Sequence, residues 1–486
     1  MSKIVHRLYP EVIKRTAERC RRRGIRIPTF SQLRDPDLIP ASTKAQLKNV
    51  GLWDVNPLNL FRITWKNDIQ SGAYGGVNFL ELPPAITGVK ARIVGLVGKH
   101  FPTGAHKVGA AFGCLVPRLV SGEFDPETHK AAWPSTGNYC RGGAFDCAVL
   151  DCTALAILPQ GMSRERFEWL EEIGAQIIAT PGCESNVKEI YDKCWELKKD
   201  PLNFVFNQFE EFGNPIFHYN VTGPAFEDAL AALGNSRLRP AAFISATGSA
   251  GTIAAGDFLK TKHPGLKVVA TEALQCPTLL MNGFGDHRIE GIGDKHVPWV
   301  HNVRNTDAVA AIDDEDCLRA LRLFNEPAGR QRLASLGADP GQINRLSWLG
   351  ISAICNVLAA IKTAKYFELD ACDVIFTVFT DSTDLYRSRL DELTREWGAF
   401  QASDAVADHA GPLAHQGIEH FKELTYRERK AIHNLKYYTW VEQQGKSAQE
   451  LNQQWDPEYW RALFEDEVGY FDQLITEFNQ QVGPPA

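Results

Sequence analysis

The sequence predicts an α/β protein built on largely parallel sheets, and three observations carry that expectation. From about residue 90, short β-rich apolar runs alternate with longer amphipathic ones. Loops of small residues follow several of those runs, where open parallel sheets hold their ligands. The flanks, residues 1 to about 80 and beyond about 395, lack the alternation and read as helical or irregular extensions.

Taken in order, the predicted strands are ARIVGLVG (91–98), TALAILPQ (153–160), AQIIATPG (175–182), FVFNQF (204–209), AAFISATG (241–248), KVVATEA (267–273) and DVIFTVFTD (373–381). Helix-like segments fall between them: SRERFEWLEEIG (163–174), ESNVKEIYDKCWELKK (184–199) and GPAFEDALAALG (223–234). Strand–helix alternation at this spacing makes parallel layers. The C-terminal region is helical, acidic and aromatic, and Trp440, Trp455, Trp460, Phe464 and Tyr470 read as core and interface packing, with a substrate lid as the alternative.

At 486 residues there is room for two or three domains, and 44% hydrophobic residues suffice for a sizeable core. A net charge of −7 disfavours nucleic acid as a partner. No apolar run approaches the roughly 20 residues that span a bilayer, so no membrane partner is expected. The basic N-terminus has no apolar core for a secretory signal, and its cluster Arg19 and Arg21–Arg23 reads as a solvated helix face. The eleven cysteines show neither CxxC nor a repeated ligand spacing, so no metal site is expected and a reducing cytoplasm fits best.

Chemistry concentrates in a few loops. FPTGAHKVGAA (101–111) sets Lys107 between a turn and an apolar run, where desolvation would favour a free amine. SATGSAGTIAAGDFLK (245–260) puts Gly248, Ser249, Ala250, Gly251 and Thr252 between a strand and a helix, a place for backbone N–H groups to hold a phosphate. WPSTGNYCRGG (133–143) gathers Ser135, Thr136, Gly137 and Asn138, either as a helix cap or as a carboxylate-binding turn. IEGIGDKHVP (289–298) has Gly291 and Gly293, which allow a flat ligand to lie close to the backbone. A phosphate cradle, a carboxylate turn and a desolvated lysine are together what pyridoxal 5'-phosphate requires.

PTGAHK, STGN, TGSAGT and EGIG, in this order, resemble the signature loops of fold type II pyridoxal-phosphate enzymes, the tryptophan synthase β superfamily. Further segments resemble its cysteine synthase/cystathionine β-synthase branch: FNQFEEFGNPIFHYNVTGP (206–224), GISAICNVLAAIK (350–362) and TDSTDLY (380–386). The resemblance covers roughly residues 75–390 and implies two open-sheet α/β domains with helical N- and C-terminal extensions. The large cofactor-binding domain would take 81–111 and 223–394, the small mobile domain 112–222, and the extensions 1–80 and 395–486.

The resemblance also implies site roles. Lys107 would be the Schiff-base lysine and the acid/base at the α-carbon, with His106 near the phosphate. Asn138 would meet the cofactor's 3′-oxygen. Ser135, Thr136, Gly137 and Gln208 would hold the substrate carboxylate. Gly248, Ser249, Ala250, Gly251 and Thr252 would bind the phosphate, Gly291 would lie beside the ring, and Ser382 would face the pyridine nitrogen unless Asp381 does.

Departures bear on substrate. The Asn138 loop has no glutamate of the kind tryptophan synthase uses, which disfavours indole chemistry. Tyr139, Cys140 and Arg141 replace small residues, and Arg141 either points to solvent or meets an anionic substrate or nucleophile. Ala250 replaces a glycine and is expected to keep a negative φ. The implied activity is β-elimination or β-replacement, through an aminoacrylate intermediate, on an L-amino acid of O-acetylserine, serine or cysteine type. A thiol or sulfide is the co-substrate and a homodimer the expected assembly. A threonine synthase or dehydratase-like lyase and a catalytically silent cofactor-binding regulatory protein are the alternatives.

Overall fold

The alternation of the sequence resolves into two sheets in the computed structural model, which describes residues 4–135, 137–182 and 187–483. The strands in chain order are β1 (Asn67–Asp68), β2 (Ala73–Tyr74), β3 (Phe79–Leu82), β4 (Arg92–Val97), β5 (Lys130–Pro134), β6 (Thr153–Pro159) and β7 (Gln176–Thr180). They continue with β8 (Asn203–Val205), β9 (Arg239–Ala246), β10 (Lys267–Ala273), β11 (Ala308–Ile312), β12 (Asp373–Phe379) and β13 (Phe421–Glu423). A seven-stranded sheet runs β13-β11-β10-β9-β12-β4-β3, and a four-stranded sheet runs β7-β6-β5-β8. Every pair in the smaller sheet is parallel, and in the larger one only the edge strands β3 and β13 run antiparallel.

Central β12 is buried along its whole length, as a parallel strand with both faces covered must be. Asn356, on the helix Ile351–Tyr366, accepts from Ala246 N (2.8 Å) and donates to Val378 O (2.9 Å), tying the ends of β9 and β12 together. Between the sheets runs the helix Lys107–Val120, buried on nearly all sides. It crosses the helix Gly213–Phe217 backbone to backbone: a Cβ on Gly113 would lie 2.3 Å from Gly213 O, and one on Gly213 would lie 2.1 Å from Gly113 O.

Several expectations are corrected. FVFNQF is a strand only to Val205; Asn207 then turns the chain, its Oδ1 accepting from Phe209 N at 3.1 Å. The alanine-rich strands β5 and β11 have weak intrinsic β preference and form because neighbours pair them on both sides, β6 and β8 parallel to β5, β10 parallel and β13 antiparallel to β11. The C-terminal region is not purely helical, since it supplies β13. The 111/112 domain boundary falls inside the continuous helix Lys107–Val120.

The two extensions hold each other. Arg21 donates to Val482 O (2.5 Å) and Gln481 O (2.6 Å), Arg26 to Asn479 O (2.6 Å), and Asp472 accepts from Phe30 N (2.6 Å) and Ser31 N (3.1 Å). The guanidinium groups thus meet carbonyls at the negative end of the helix Glu467–Val482. Arg19 and Arg23 both pair with Asp151 (2.6 and 2.7 Å). Arg21, Arg22 and Arg23 remain exposed, so the expected solvated face holds, and three arginines of the cluster, Arg19, Arg21 and Arg23, also clamp neighbouring segments. Trp440, Trp460 and Phe464 are buried, and Phe464 stacks on Tyr219 with centroids 4.6 Å apart, so packing rather than a lid describes them. Trp455 and Tyr470 are half-buried at the same core's margin. No single helix among the described residues is long and apolar enough to cross a membrane.

Candidate active site

Lys107 opens its helix directly after the turn that leaves β4, and His106 N bonds Thr380 O (3.2 Å) at the end of β12. The lysine is half-buried rather than enclosed, because its amine faces a cavity. Its Nζ donates to Gln208 Oε1 at 3.2 Å, so the turn at Asn207 is what delivers Gln208 to the site.

The same cavity is lined by Gly248, Ser249, Ala250, Thr252 and Gly291. Among the described residues no acceptor meets the N–H groups of Gly248, Ser249, Ala250 and Thr252, at the entry to the helix Ile253–Lys262. Asn214 Nδ2 braces the loop by donating to Ser249 Oγ and Gln208 O, both at 3.0 Å. Gly251 packs on that amide instead of facing the cavity. Ala250 sits at φ +61°, not at the negative φ expected of it, a left-handed conformation that costs an L-residue about 1–2 kcal/mol. Unfilled N–H donors at a helix start beside a lysine fit the phosphate end of pyridoxal phosphate.

The loop from β5 brings the remaining donors. Ser135 Oγ accepts from Gly137 N (3.0 Å), and Gly137 lies against the Arg166 guanidinium; Thr136 lies outside the described residues. Asn138 Nδ2 donates to Asp381 Oδ2 at 2.6 Å. Asp381 also accepts from Tyr386 OH (2.7 Å), which accepts from Arg166 Nη2 (2.8 Å). Burial raises the Asp381 pKa, while Arg166, Asn138 and Tyr386 oppose that shift. Arg166 and Arg389 both reach Glu290 (3.4 and 2.5 Å), next to Gly291. Ser382 is not part of this group: its Oγ bonds Asp384 (3.1 Å) and it lines a neighbouring cavity.

His106 is buried, stacked on Trp65 (centroids 5.6 Å) and edge-on to His218 (5.1 Å), with neither ring nitrogen hydrogen-bonded. Burial first, and then the Lys107 charge, pushes its pKa down to about 3. Burial likewise pushes His218 well below the usual range, with His106 and Lys107 adding to it. Two neutral imidazoles therefore back the lysine. Asn214, His218 and Asn356 lie within segments that resemble the family's, but nothing in their spacing marks them as site residues; Arg166, on a helix with a polar sequence, carries no signal that separates it from surface arginines.

Residues 75–338 match the family described as pyridoxal-phosphate dependent enzyme. The chain is 29% identical over 256 residues to a cysteine synthase of Staphylococcus aureus (strain N315), spanning 52% of this chain and 74% of that protein. It is 30% identical over 259 residues to an O-acetylserine dependent cystathionine beta-synthase of Bacillus subtilis (strain 168), spanning 52% and 75%. Among solved structures, a hydrogen sulfide-producing enzyme from Fusobacterium nucleatum matches with TM-score 0.54 and 26% identity over 63% of this chain and 95% of that one. The signature loops, the two open sheets and these likenesses agree: the chain belongs to the pyridoxal-phosphate dependent enzyme family, as a fold type II enzyme similar to its cysteine synthase/cystathionine β-synthase branch.

Proposed function

We propose that the protein catalyses β-elimination or β-replacement on an L-amino acid with a β-leaving group of O-acetylserine, serine or cysteine type, with a thiol or sulfide as second substrate. The observation that carries this reading is the single cavity lined both by Lys107 and by Gly248, Ser249, Ala250 and Thr252, whose N–H groups meet no acceptor among the described residues. The printed activities of the relatives support it: a cysteine synthase and an O-acetylserine dependent cystathionine beta-synthase.

In this reading Gly248, Ser249, Ala250 and Thr252 would hold the cofactor phosphate, with Gly251 packing the loop against Asn214, while Gly291 would lie beside the ring and Asn138 would meet the 3′-oxygen. When bound, the cofactor supplies an electron sink for charge developing at the substrate α-carbon. Ser135, Thr136, Gly137 and Gln208 take the substrate carboxylate, and the Gln208 contact orients Lys107 Nζ. Lys107 Nζ removes the α-proton. His106 and His218 are neutral and too weakly basic to compete for it near neutral pH, while a neutral His106 ring keeps an N–H that can serve near the phosphate. The Asn138 contact supports Asp381 over Ser382 at the pyridine nitrogen. The four-stranded sheet unit closes over the substrate and keeps water out. Arg166 and Arg389 reach Glu290, and Arg166 also reaches Tyr386, which suits a latch for that closure. The reading includes a cytoplasmic homodimer; the ten described cysteines are all free, which suits a reducing compartment.

The test is the visible spectrum of the holoenzyme before and after O-acetyl-L-serine, followed by sulfide and assay for cysteine. A spectral change that sulfide reverses with cysteine formed is expected. A cofactor-loaded protein unmoved by O-acetylserine, serine and cysteine would refute the reaction.

A further inference from the structure

A second cavity, of about 350 Å³, opens at the same end of the large sheet. Its wall includes Pro102–Gly104, on the turn that leads to Lys107, and Ser382, past the end of β12. The four-stranded unit contributes Arg141 and Trp169 to it, and the N-terminal extension contributes Trp53. The cavity is thus shared between the parts of the protein that meet over the substrate cleft.

Its charge is unbalanced. Lys99 and Asp384 are paired with each other (2.5 Å), and Asp384 also takes Arg387 (3.0 Å). Arg141 is 3% exposed, and its buried Nε and Nη1 make no hydrogen bond with the described residues. Its one described packing partner of note is the Trp169 ring, 4.6 Å from the guanidinium carbon to the centroid. Asp381 is near enough to act on it electrostatically but is hydrogen-bonded to Asn138 and Tyr386. Burial, and then Arg166, pulls the Arg141 pKa down to about 10, which leaves it protonated at neutral pH. Buried guanidinium groups in proteins are ordinarily paired and hydrogen-bonded. Here the Arg141 side chain lines a cavity whose walls also include Trp53, Pro102 and Leu385 and the paired Lys99 and Asp384. That is a receptor for a planar or tetrahedral oxyanion on a small apolar body.

We propose that Arg141 forms the floor of a subsite for the carboxylate or phosphate of a small organic anion, carried either by the leaving group of the amino-acid substrate or by the nucleophile. The proposal rests on the reaction assigned above only for its choice of occupant. The subsite makes the enzyme selective for a charged reactant, which explains why the small residues expected after Asn138 give way to an arginine.

The test uses the cofactor-loaded holoenzyme, so that the phosphate cradle is filled. Inorganic phosphate and 3-mercaptopropionate are titrated calorimetrically into wild type, Arg141→Met and Arg141→Lys. Saturable binding is expected, weakened about tenfold or more in Arg141→Met and by less in Arg141→Lys, which keeps the charge but loses the fork. Binding that is absent in wild type, or equal in all three proteins, overturns the subsite. Should Arg141→Met not fold, Arg141→Lys decides by the same criterion. In turnover, a tenfold preference for O-phospho-L-serine over O-acetyl-L-serine assigns the anion to the leaving group. The same preference for 3-mercaptopropionate over 3-mercapto-1-propanol assigns it to the nucleophile, and no preference in either pair overturns the proposal. Arg141-dependent binding without any turnover strikes the reaction alone, whereas Arg141-independent binding in an active enzyme strikes the subsite alone.

Discussion

Replacing Gly251 with alanine tests the construction of the phosphate cradle, because the expected damage has one cause. The backbone at Gly251 has no positive φ, so conformational strain is not at issue. The new Cβ would lie 2.1 Å from Asn214 Oδ1, 2.4 Å from its Cγ and 2.5 Å from its Nδ2. Asn214 is buried and cannot swing into solvent, so it must give up its bonds to Ser249 Oγ and Gln208 O. Two lost hydrogen bonds at about 0.5–1.5 kcal/mol each, with overpacking at about 1–3 kcal/mol, give a total of about 2–6 kcal/mol. Some of that falls on the cofactor site through Ser249, and each 1.4 kcal/mol there is about a tenfold loss of affinity. Equilibrium dialysis of pyridoxal phosphate and urea unfolding would read the two parts. Gly265→Ala, with open space around the added methyl, is the control. Asn214→Ala supplies the decisive comparison: with the amide gone, the methyl fits, so the double variant should behave like Asn214→Ala alone. Additive losses in the double variant would refute the steric argument.

Lys107→Ala should abolish turnover and any covalent cofactor; borohydride reduction followed by intact-mass measurement checks this, and retained cofactor mass would remove Lys107 from the centre of the site. His106→Gln should flatten the dependence of stability on pH. In the native protein the His106 pKa is about 3, below its unfolded value, so its contribution is complete above the unfolded pKa and is lost as pH falls toward 3. One proton's difference is about 1.4 kcal/mol per pH unit, and urea unfolding from about pH 5.5 to 4 should show the slope change by that amount; an unchanged slope would mean that the ring is not held neutral. Ala250→Gly should leave stability within about 0.5 kcal/mol, since relief of the left-handed strain is offset by greater freedom of the unfolded chain. Ala250→Val should instead lose about 1–2 kcal/mol and weaken cofactor binding, because a branched side chain tolerates positive φ least; equal behaviour of the two variants would count against the strained geometry.

Patterns that are local in the chain were legible in advance. Lys107, the Gly248–Thr252 loop and Gly291 line one cavity because each is positioned by its own strand end and turn. The parallel sheets followed from runs such as DVIFTVFTD, whose apolar side chains have only one reading when both faces are covered. What escaped was set by partners distant in sequence. KAAWP becomes a strand only because β6 and β8 flank it. Ser382 stood in the right motif, but Asp384 captures its hydroxyl while Asp381 turns toward Asn138, a choice of orientation that spacing cannot express. For Arg141 the sequence leaves solvent and ligand both open, and its burial against the ring of Trp169 excludes solvent.

The clasp between the extensions has a consequence for how the protein is made. Arg21, Arg26 and the N–H groups of Phe30 and Ser31 find their partners on residues 472–482, more than 440 positions later in the chain. A nascent chain emerging from the ribosome therefore carries the helix Pro10–Arg22 without these partners while the more than 440 residues between them are made. Its buried face carries Ile13, Ala17 and Cys20, and the part of it that packs on the helix 467–482 stays uncovered until that helix arrives. Trimming that terminal helix would leave a lesion at the opposite end of the chain, felt first as a newly sticky amino terminus and not as a lost catalyst.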